Sequence, residues 1–571
     1  MKQILLTILT TLVVLPVASA TAPRRVAEVN VHPGGSLQMA VRQAREMHRL
    51  GEADSVVIRL AEGTYRLTQP LNLLPEDSHT AIVGNNAVIS GARPVSEWRK
   101  EGSLWTANAP VVNGSRVMLR QLWVNGRKAL RATQFGQYKL DRILDSNVDI
   151  ITIPTPKNLY SLIRAPHLEM LVHQRWAIAI LRIKSMRQIG DSTQVEFHDP
   201  ESYLEFSHPW PQPVIGGDFG SSSYCLMNDL SLVDEPGEWY QDESTGVIYY
   251  MPREGETIPA TVAEVPVTEN LLNISGAPGL RVTDITVSGV TFAYSSWTRP
   301  SRLGHVTLQG GFPLLDAYKL QKEGLPWAPS LENQAWIERP EAAVKVEWGR
   351  RITFNDCSFT HLGSTGLDFA FADKAVTASG CTFSDIGGTA ILAGSFSEGA
   401  SEVHRPYRVS PDQEEYCDTL YITSNHIDDA TNEDWGAMGI GCGYVRNCSI
   451  VGNSVSNVNW CGICLGWGWT PHDTGMRNNR ICDNRVTDYA RMLYDVGGIY
   501  TMSAQPNSFI TGNTVSEPSK APYATNGRAF KLYLDDSSDG FTISGNNFTK
   551  DETGTNHPGK NIKFEAHQQS Q

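Results

Sequence analysis

The sequence carries little charge for its length, and the charge it does carry is not basic. Only 19% of the 571 residues are Asp, Glu, Lys or Arg, and 48 basic against 61 acidic side chains give a formal net charge of -13. This balance excludes a general attraction to nucleic acid or to an anionic membrane surface. Since 41% of the residues are hydrophobic, the chain is able to bury a large core.

Long apolar runs are absent beyond the N-terminus. Lys2 is followed by an apolar stretch over residues 4–17 and then by Ala18-Ser19-Ala20, which is the pattern of a secretory signal peptide. We therefore expect residues 1–20 to be a signal peptide cleaved after Ala20, and the mature chain to be exported, either periplasmic or secreted. No later segment is apolar for long enough to span a bilayer, so membrane insertion is not expected.

The nine cysteines lack the pairing that disulfides or zinc would require. Their number is odd, and eight of them fall between Cys357 and Cys482. Only Cys461 and Cys464 have the short spacing of a zinc half-site, and no second pair stands near them. We expect most of the cysteines to be buried as small apolar side chains.

After the signal peptide, the sequence predicts one amphipathic helix followed by short strands. Ser36 is a suitable N-cap, the apolar residues from Leu37 to Met47 recur with helical spacing, and Gly51 marks the end. We expect residues 21–94 to form an N-terminal cap and the first coils of a stack of strands. Residues 95–275 have irregular alternating segments broken by Pro and Gly, which predict an inserted β-rich module.

From residue 276 to 571 a short phrase recurs: an apolar–polar strand, a turn residue, one further position and another apolar residue. Its turn position holds Cys or Asn, and successive members lie 24 to 44 residues apart. A short period with Asn in one column is typical of a parallel β-helix, in which each coil packs on its neighbours. An antiparallel sandwich is the alternative, but two-residue hairpin turns are scarce. The column consists of Cys357, Cys381, Asn425, Asn453, Asn484, Asn513 and Asn546.

The prediction is therefore an all-β fold: a right-handed parallel β-helix with an N-terminal capping helix and an inserted β-rich module. Each coil has a second strand, whose inward apolar column is Leu367, Ile391, Ile440, Ile463, Ile499 and Leu532. Because side chains alternate along a strand, the residues next to this column should face solvent on one surface. The predicted solvent-facing residues are Asp368, Gly441, Cys464, Tyr500 and Tyr533, and further along Gly443, Gly466, Met502 and Asp535.

Carboxylates and aromatic rings cluster around this predicted surface. Asp434-Trp435 and Tyr494-Asp495 precede two of the strands, and Trp467 and Trp469 lie at the other edge. One carboxylic acid can protonate a departing glycosidic oxygen while a second carboxylate attacks or activates water, and aromatic faces pack on sugar rings. The pattern therefore favours hydrolysis of an oligosaccharide or polysaccharide.

At these residues the sequence resembles glycoside hydrolase family 141, a family of right-handed parallel β-helix repeat proteins. The resemblance covers most of the mature chain and is strongest from about residue 342 to residue 538. The segments that carry it are Thr365-Gly366-Leu367-Asp368-Phe369, Thr431-Asn432-Glu433-Asp434-Trp435-Gly436, Gly439-Ile440-Gly441, Gly443-Tyr444-Val445-Arg446, Gly466-Trp467-Gly468-Trp469, Asp495-Val496-Gly497-Gly498-Ile499-Tyr500-Thr501 and Tyr533-Leu534-Asp535-Asp536-Ser537-Ser538.

The resemblance implies an exo-acting α-L-fucosidase or a xylan-active enzyme with two catalytic aspartates, acting on plant cell-wall or related glycans. On the matching positions these are Asp495 and Asp535, although Leu534 and Asp536 stand where the family pattern has Thr and Glu. Asp536 and Asp434 are therefore candidate substitutes for one of the pair. The expected substrate-binding residues are Asp368, Asp434, Trp435, Trp467, Trp469, Tyr500, Tyr533 and Asp536.

One geometric difficulty accompanies this pair. Asp495 precedes its strand while Asp535 ends the next one, and seven residues of extended chain would separate them by more than about 20 Å. A bulge at Gly497-Gly498 would shorten the distance. Without it, Asp434 with Asp495 is the better-spaced pair.

Two other functions stay open from the sequence. A calcium-assisted polysaccharide lyase or uronate epimerase would use clustered carboxylates with a base such as Lys531 or Arg528, which lie near Asp535. A non-catalytic glycan-binding β-helix is the other. No metal site or cofactor is expected for hydrolysis; calcium belongs to the lyase alternative and is not required by the sequence.

Overall fold

A computed structural model describes residues 25–208, 211–317, 336–396, 415–471 and 473–565. The predicted signal peptide lies outside these residues. Within them, no helix combines the length and the apolar character needed to cross a membrane.

The chain forms a parallel β-helix, as predicted. One sheet of nineteen strands pairs exclusively in parallel between successive coils. Its strands are Val26–Val31, Ser55–Leu60, Gly63–Arg66, Thr80–Ser90, Val282–Ser295, Gly349–Asn355, Ser358–Leu362, Lys374–Ser379, Thr382–Ile386, Cys417–Thr423, His426–Ala430, Val445–Val451, Ser454–Ser456, Arg480–Cys482, Arg485–Val486, Ala504–Thr511, Thr514–Val515, Asp539–Ser544 and Lys563–Glu565.

A second parallel sheet, which we call the site sheet, has ten strands, one from each of ten successive coils. The predicted inward column is aligned in it residue by residue, from Leu367 through Ile391, Ile440, Ile463 and Ile499 to Leu532. The strands are Leu71–Leu73, Leu272–Ser275, Ala342–Glu347, Thr365–Phe371, Ile391–Ala393, Met438–Cys442, Cys461–Leu465, Val496–Thr501, Ala529–Leu534 and Thr553–Thr555.

The turn column is also aligned. The amide of Asn425 donates to Asn453 at 2.9 Å, Asn453 donates to Asn484 at 2.9 Å, and the ladder continues to Asn513 and Asn546. The ladder residues from Asn425 to Asn513 are buried, so each amide replaces the water it lost with a partner one coil away. The spacing seen in the sequence thus records real contacts between coils.

The predicted N-terminal helix is confirmed as Leu37–Arg49. The Oγ of Ser36 accepts from the backbone amide of Met39 at 3.2 Å, and Gly51 adopts a left-handed φ of 66° just after the helix. The buried stripe of Leu37, Ala40, Val41 and Ala44 packs on the first strands of the stack.

The inserted module leaves the β-helix after Ala92–Val95 and returns at Ala263–Pro266, two strands that pair with each other. Its sheets are antiparallel apart from one short parallel pairing. The coil resumes at Leu272–Ser275, which pairs in the site sheet, so the module ends before the predicted boundary at residue 275. Apolar and polar residues alternate in the same way in the module and in the β-helix. The alternation therefore does not show which sheet a strand joins.

The module contains eighteen strands and two short helices. The helices are Leu159–Leu162 and Glu201–Ser207. The strands are Ala92–Val95, Arg99–Glu101, Leu104–Asn108, Val111–Val112, Ser115–Arg116, Trp123–Val124, Arg127–Lys128, Leu130–Arg131, Asp141–Arg142, Asp145–Asn147, Ile150–Pro154, Glu169–His173, Ile178–Ile189, Ser192–Phe197, Ser223–Met227, Glu238–Asp242, Val247–Tyr250 and Ala263–Pro266.

A further helix, Arg299–Leu303, and the hairpin of Leu314–Asp316 with Trp336–Ile337 lie between coils. All nine cysteines are free thiols, eight of them buried, as expected from their spacing.

The surface predicted to face solvent is in fact covered. Asp368, Cys464, Tyr500 and Tyr533 are each no more than 2% exposed. Strand alternation correctly gives the direction of these side chains, but the inserted module and the segment at residues 304–313 lie over the sheet. The open groove expected from the sequence is therefore replaced by enclosed cavities.

Candidate active site

Asp495 and Asp535 line the same cavity, which we call the aspartate cavity and which encloses about 580 Å³. Asp495 stands at the entrance to the strand Val496–Thr501, and Asp535 follows the end of the neighbouring strand Ala529–Leu534. Tyr500 and Tyr533, which are paired across these two strands, lie between them.

Asp535 is held by hydrogen-bond donors on both carboxylate oxygens. Its Oδ2 accepts from the hydroxyl of Tyr500 and from the indole Nε1 of Trp469 at 2.9 Å, and its Oδ1 accepts from the amide of Asn556 at 2.8 Å. Burial and the charge of Asp535 raise the pKa of Tyr500 well above its usual value, so this hydroxyl keeps its proton and remains a donor. Three donors thus fix the position and orientation of this carboxyl group.

Asp495 has a different environment. Its Oδ1 accepts from the hydroxyl of Tyr533 at 3.1 Å and lies 3.3 Å from Nε of Arg528. Burial raises the pKa of Asp495; Arg528 opposes this rise, and the negative charge of Asp535 adds to it. The two carboxyl groups of this cavity thus have different surroundings, as do the acid and the partner base or nucleophile of a glycosidase.

The backbone between the two aspartates is locally compacted near Gly497, which shortens the seven-residue displacement. The pairing of this strand with its neighbour keeps a constant register, so no bulge interrupts the ladder. However, a Cβ built on Gly497 would lie 2.3 Å from the carbonyl oxygen of Ile499 and 2.8 Å from the backbone nitrogen of Tyr533. Residues two apart in a straight strand cannot approach so closely. The chain folds tightly here, and only glycine fits; Asp495 itself has a φ of 56°.

Aromatic rings form part of the cavity wall. Tyr500 and Tyr533 meet edge to face with centroids 5.2 Å apart, and Trp469 contributes a partly buried ring. Trp467 packs behind Trp469 at 4.8 Å and is fully buried against Phe312 and Phe396. Its expected place on the groove is corrected, because loop residues cover it and it supports the wall from behind.

Four other predicted substrate contacts do not line the aspartate cavity. Asp368 is fully buried in an ion pair with Arg339 at 2.7 Å. Trp435 lines a separate cavity beneath the inserted module and packs on Tyr138. Asp536 is partly buried beyond the end of its strand.

Asp434 lies in a third cavity, where its Oδ2 is 3.0 Å from Nε2 of His305. The Asp434–Asp495 pair considered from the sequence is thus not brought together. Asp434 and Trp435 lie in separate cavities because the covering segments divide the row of coils along the stack axis. Asp368 is instead engaged by Arg339, and Asp536 lies just past the cavity-lining Asp535.

Several residues of the cavity carried no signal in the sequence. Arg175, Trp176 and the segment at residues 212–215 belong to the inserted module, about 280 to 360 residues before the aspartates. Gln309 donates to the hydroxyl of Tyr500 at 3.2 Å, and Trp176 is fixed by a bond from its Nε1 to the carbonyl of Leu308. These contacts depend on how the module docks, which no local pattern encodes.

The residues required by the lyase alternative are arranged differently from its expectation. Lys531 points to Glu517 and Glu552, at 2.8 and 2.9 Å, and does not line the aspartate cavity, although Arg528 does. Among the described residues, no three His, Cys, Asp or Glu side chains are grouped as metal ligands.

Comparisons with known proteins agree with this architecture. Residues 102–253 match the GH141 insertion domain family, and residues 408–563 match the family of the periplasmic copper-binding protein NosD. No curated protein matches the chain significantly.

Among solved structures, a glycoside hydrolase is 36% identical with a TM-score of 0.88, over 94% of this chain and 96% of its own. XylC in complex with xylose is 13% identical, covers 92% of this chain and 69% of its own, and has a TM-score of 0.41. PfbA, a surface adhesin of Streptococcus pneumoniae, is 10% identical with a TM-score of 0.29, over 92% of this chain and 88% of its own. On the first of these similarities, together with its insertion domain, the chain belongs to the GH141-like glycoside hydrolases.

Proposed function

We propose that this glycoside hydrolase uses Asp495 as its general acid and Asp535 as its nucleophile or general base. The proposal rests on the different surroundings of two carboxyl groups that line one cavity. Burial favours the protonated form of Asp495, whereas the carboxyl group of Asp535 is held in place by three hydrogen-bond donors.

The proposed chemistry follows from these two environments. The proton of Asp495 passes to the glycosidic oxygen as its bond to the anomeric carbon breaks, and the leaving sugar departs as an alcohol. Asp535 either attacks the anomeric carbon or removes a proton from the water that does. Asp495, now ionised, is stabilised by Arg528 and Tyr533, which already contact it.

The experiment compares the wild-type enzyme with Asp495→Asn and Asp535→Asn on aryl glycosides and plant-wall oligosaccharides. We expect each variant to lose at least about a hundredfold in rate, the scale usual for acid–base assistance, with an unchanged circular dichroism spectrum. Asp536→Asn is the matched control, because Asp536 neighbours Asp535 but does not line the cavity. Undiminished turnover in both cavity variants would reject the assignment. Proton NMR of the first sugar anomer released then distinguishes a nucleophile from a base at Asp535.

For the substrate, we propose a plant cell-wall or related glycan, with α-L-fucosides and xylan-derived oligosaccharides as the first to test. The support is the family resemblance of the segments around Asp495 and Asp535 and a cavity of about 580 Å³ lined by both aspartates and by aromatic rings. Release of free L-fucose or xylose, measured chromatographically, checks it.

We further propose that the chain is exported to the periplasm or secreted. The N-terminal signal-peptide pattern supports this, and so does the match of residues 408–563 to a periplasmic protein family. Fractionation of cells that express the full chain, with detection of a mature form beginning at Thr21, tests it.

A further inference from the structure

The tip of one module loop presents apolar side chains beside the mouth of the aspartate cavity. Phe219 is 61% exposed and Ile215, which lines the cavity, is 45% exposed. An exposed large apolar side chain is not unusual by itself. These two lie on a short, tightly closed loop next to the candidate acid, and that position suggests a use.

The loop is held in a fixed shape. Its two ends pair through Val214 and Ser222, whose backbone amide donates to the carbonyl of Val214 at 2.8 Å and whose Oγ accepts from the amide of Val214 at 2.9 Å. At the tip, the amide of Gly220 donates to the carbonyl of Gly217 at 2.9 Å.

Arg142 fastens this loop to the β-helix. Its guanidinium donates to the carbonyls of Ser221 at 2.5 Å, Phe219 at 3.2 Å and Tyr523 at 3.0 Å. Tyr523 belongs to the segment that precedes the strand Ala529–Leu534. One cation thus joins the module loop to the coil that carries Asp535, so the backbone that presents Phe219 has a fixed position and little loop entropy is lost on binding a partner.

The loop tip lies on the side of the cavity that belongs to Asp495. Phe219 approaches Gly527, where its ring is 4.0 Å from the position of an added Cβ, and Gly527 precedes Arg528, the partner of Asp495. A general acid contacts the departing oxygen, so the leaving part of the substrate must lie on this side. Trp469 and Asn556, by contrast, contact Asp535.

We propose that Phe219, with Ile215, forms a platform for the sugar unit on the leaving-group side of the scissile bond. This inference rests on the proposed roles of the two aspartates and names the part of the substrate that the module recognises. Phe219 offers the C–H face of a pyranose the flat apolar surface that such rings stack upon, and Arg142 acts as a positioning residue for it.

The test measures kcat/KM for an aryl glycoside and for an oligosaccharide with the same terminal sugar, because only the oligosaccharide reaches the platform with a sugar ring. In Phe219→Ala the ratio of oligosaccharide to aryl glycoside should fall about tenfold, the size of one lost aromatic stacking contact. Phe219→Trp should restore the ratio. Arg142→Met should lower it too, through KM for the oligosaccharide, since the loop then loses its fixed position.

Tyr160→Ala is the matched control, because Tyr160 is an exposed module aromatic, 75% exposed, that stacks on Arg164. In Tyr160→Ala, the ratio of kcat/KM for the oligosaccharide to kcat/KM for the aryl glycoside should equal that of wild type. If the ratio is also unchanged in Phe219→Ala, the platform proposal is overturned, even if the enzyme is active. Absence of any wild-type turnover instead rejects the catalytic proposal. The platform is then tested by calorimetric titration of wild type and Phe219→Ala with xylo-oligosaccharides, and equal affinities would overturn it.

Discussion

The two walls of the aspartate cavity are built by different kinds of structure. The coil wall carries Asp495, Tyr500 and Asp535 on adjacent parallel strands, whose neighbours are fixed by pairing on both sides. The module wall carries Arg175 and the loop at residues 212–215, which reach the cavity from a separate antiparallel region. On the proposed assignment, the two walls have separate tasks: the reacting groups stand on the rigid repeat, and the contacts proposed to select the substrate stand on the insertion.

The largest effect is expected from a substitution that destabilises the stack of coils on which the coil wall is built. Asn484→Ala removes the acceptor for both the backbone and side-chain amides of Asn453 and the donor to Asn513. Buried amides left without partners should lower the free energy of unfolding by about 3 kcal/mol, measured by denaturant titration. Asn72→Ala, in an exposed Asn–Asn pair with Asn273, should cost less than about 0.5 kcal/mol. Equal losses would show that the ladder does not hold the coil wall.

A smaller effect is expected when one hydrogen-bond donor to Asp535, in the coil wall, is removed. Tyr500→Phe removes one donor from Asp535 and should reduce kcat about thirtyfold, or ~2 kcal/mol, because a hydrogen bond to a charged group is lost. Steady-state kinetics measures it. Tyr416→Phe removes a comparably buried hydroxyl, bonded to Thr474 away from the cavity, and should leave kcat intact. A change confined to KM in Tyr500→Phe would contradict the role given to the coil wall.

The corresponding test of the module wall is Arg175→Ala. The guanidinium is exposed at the cavity and, among the described residues, no side-chain hydrogen bond to it is seen. Its loss should raise KM about fivefold, or ~1 kcal/mol, with a smaller effect on kcat, because its charge lowers the pKa of Asp495 less than that of Arg528 does. Arg187→Ala, on an exposed module strand remote from the cavity, is the control. If kcat fell as far as in Tyr500→Phe, the division between the walls would not hold.

The smallest expected effect is a shift in the pKa of Asp495. Arg528 lowers the raised pKa of Asp495, so Arg528→Gln should raise that pKa further. A general acid is active only while protonated, so the alkaline limb of the pH profile of kcat/KM should move to higher pH, by up to about one unit. Arg528→Lys keeps the charge and should shift the limb less. A shift toward lower pH would place the acid elsewhere.

Much of the coil wall could be predicted from the sequence. The Asn column and the Leu–Ile column gave the coil period and the strand register, because each side chain contacts the same position one coil away. The seven-residue offset between Asp495 and Asp535 could be counted, but not the compaction at Gly497 that brings both to one cavity. A glycine in the sequence indicates conformational freedom, but it does not predict which conformation the backbone adopts.

The sequence by itself determined a stack of coils and the direction of each side chain in it, because these follow from local periodicity. The aspartates of the candidate pair came from the resemblance of their segments to a known family. Only the tertiary structure decided what covers the site sheet. The segment at residues 304–313 pairs His305 with Asp434 and packs Phe312 on Trp467. Docking of the inserted module brings Arg175 and Phe219 beside the aspartates or the mouth of their cavity. Such contacts join residues hundreds of positions apart, and they depend on the shapes of two surfaces rather than on any repeated pattern.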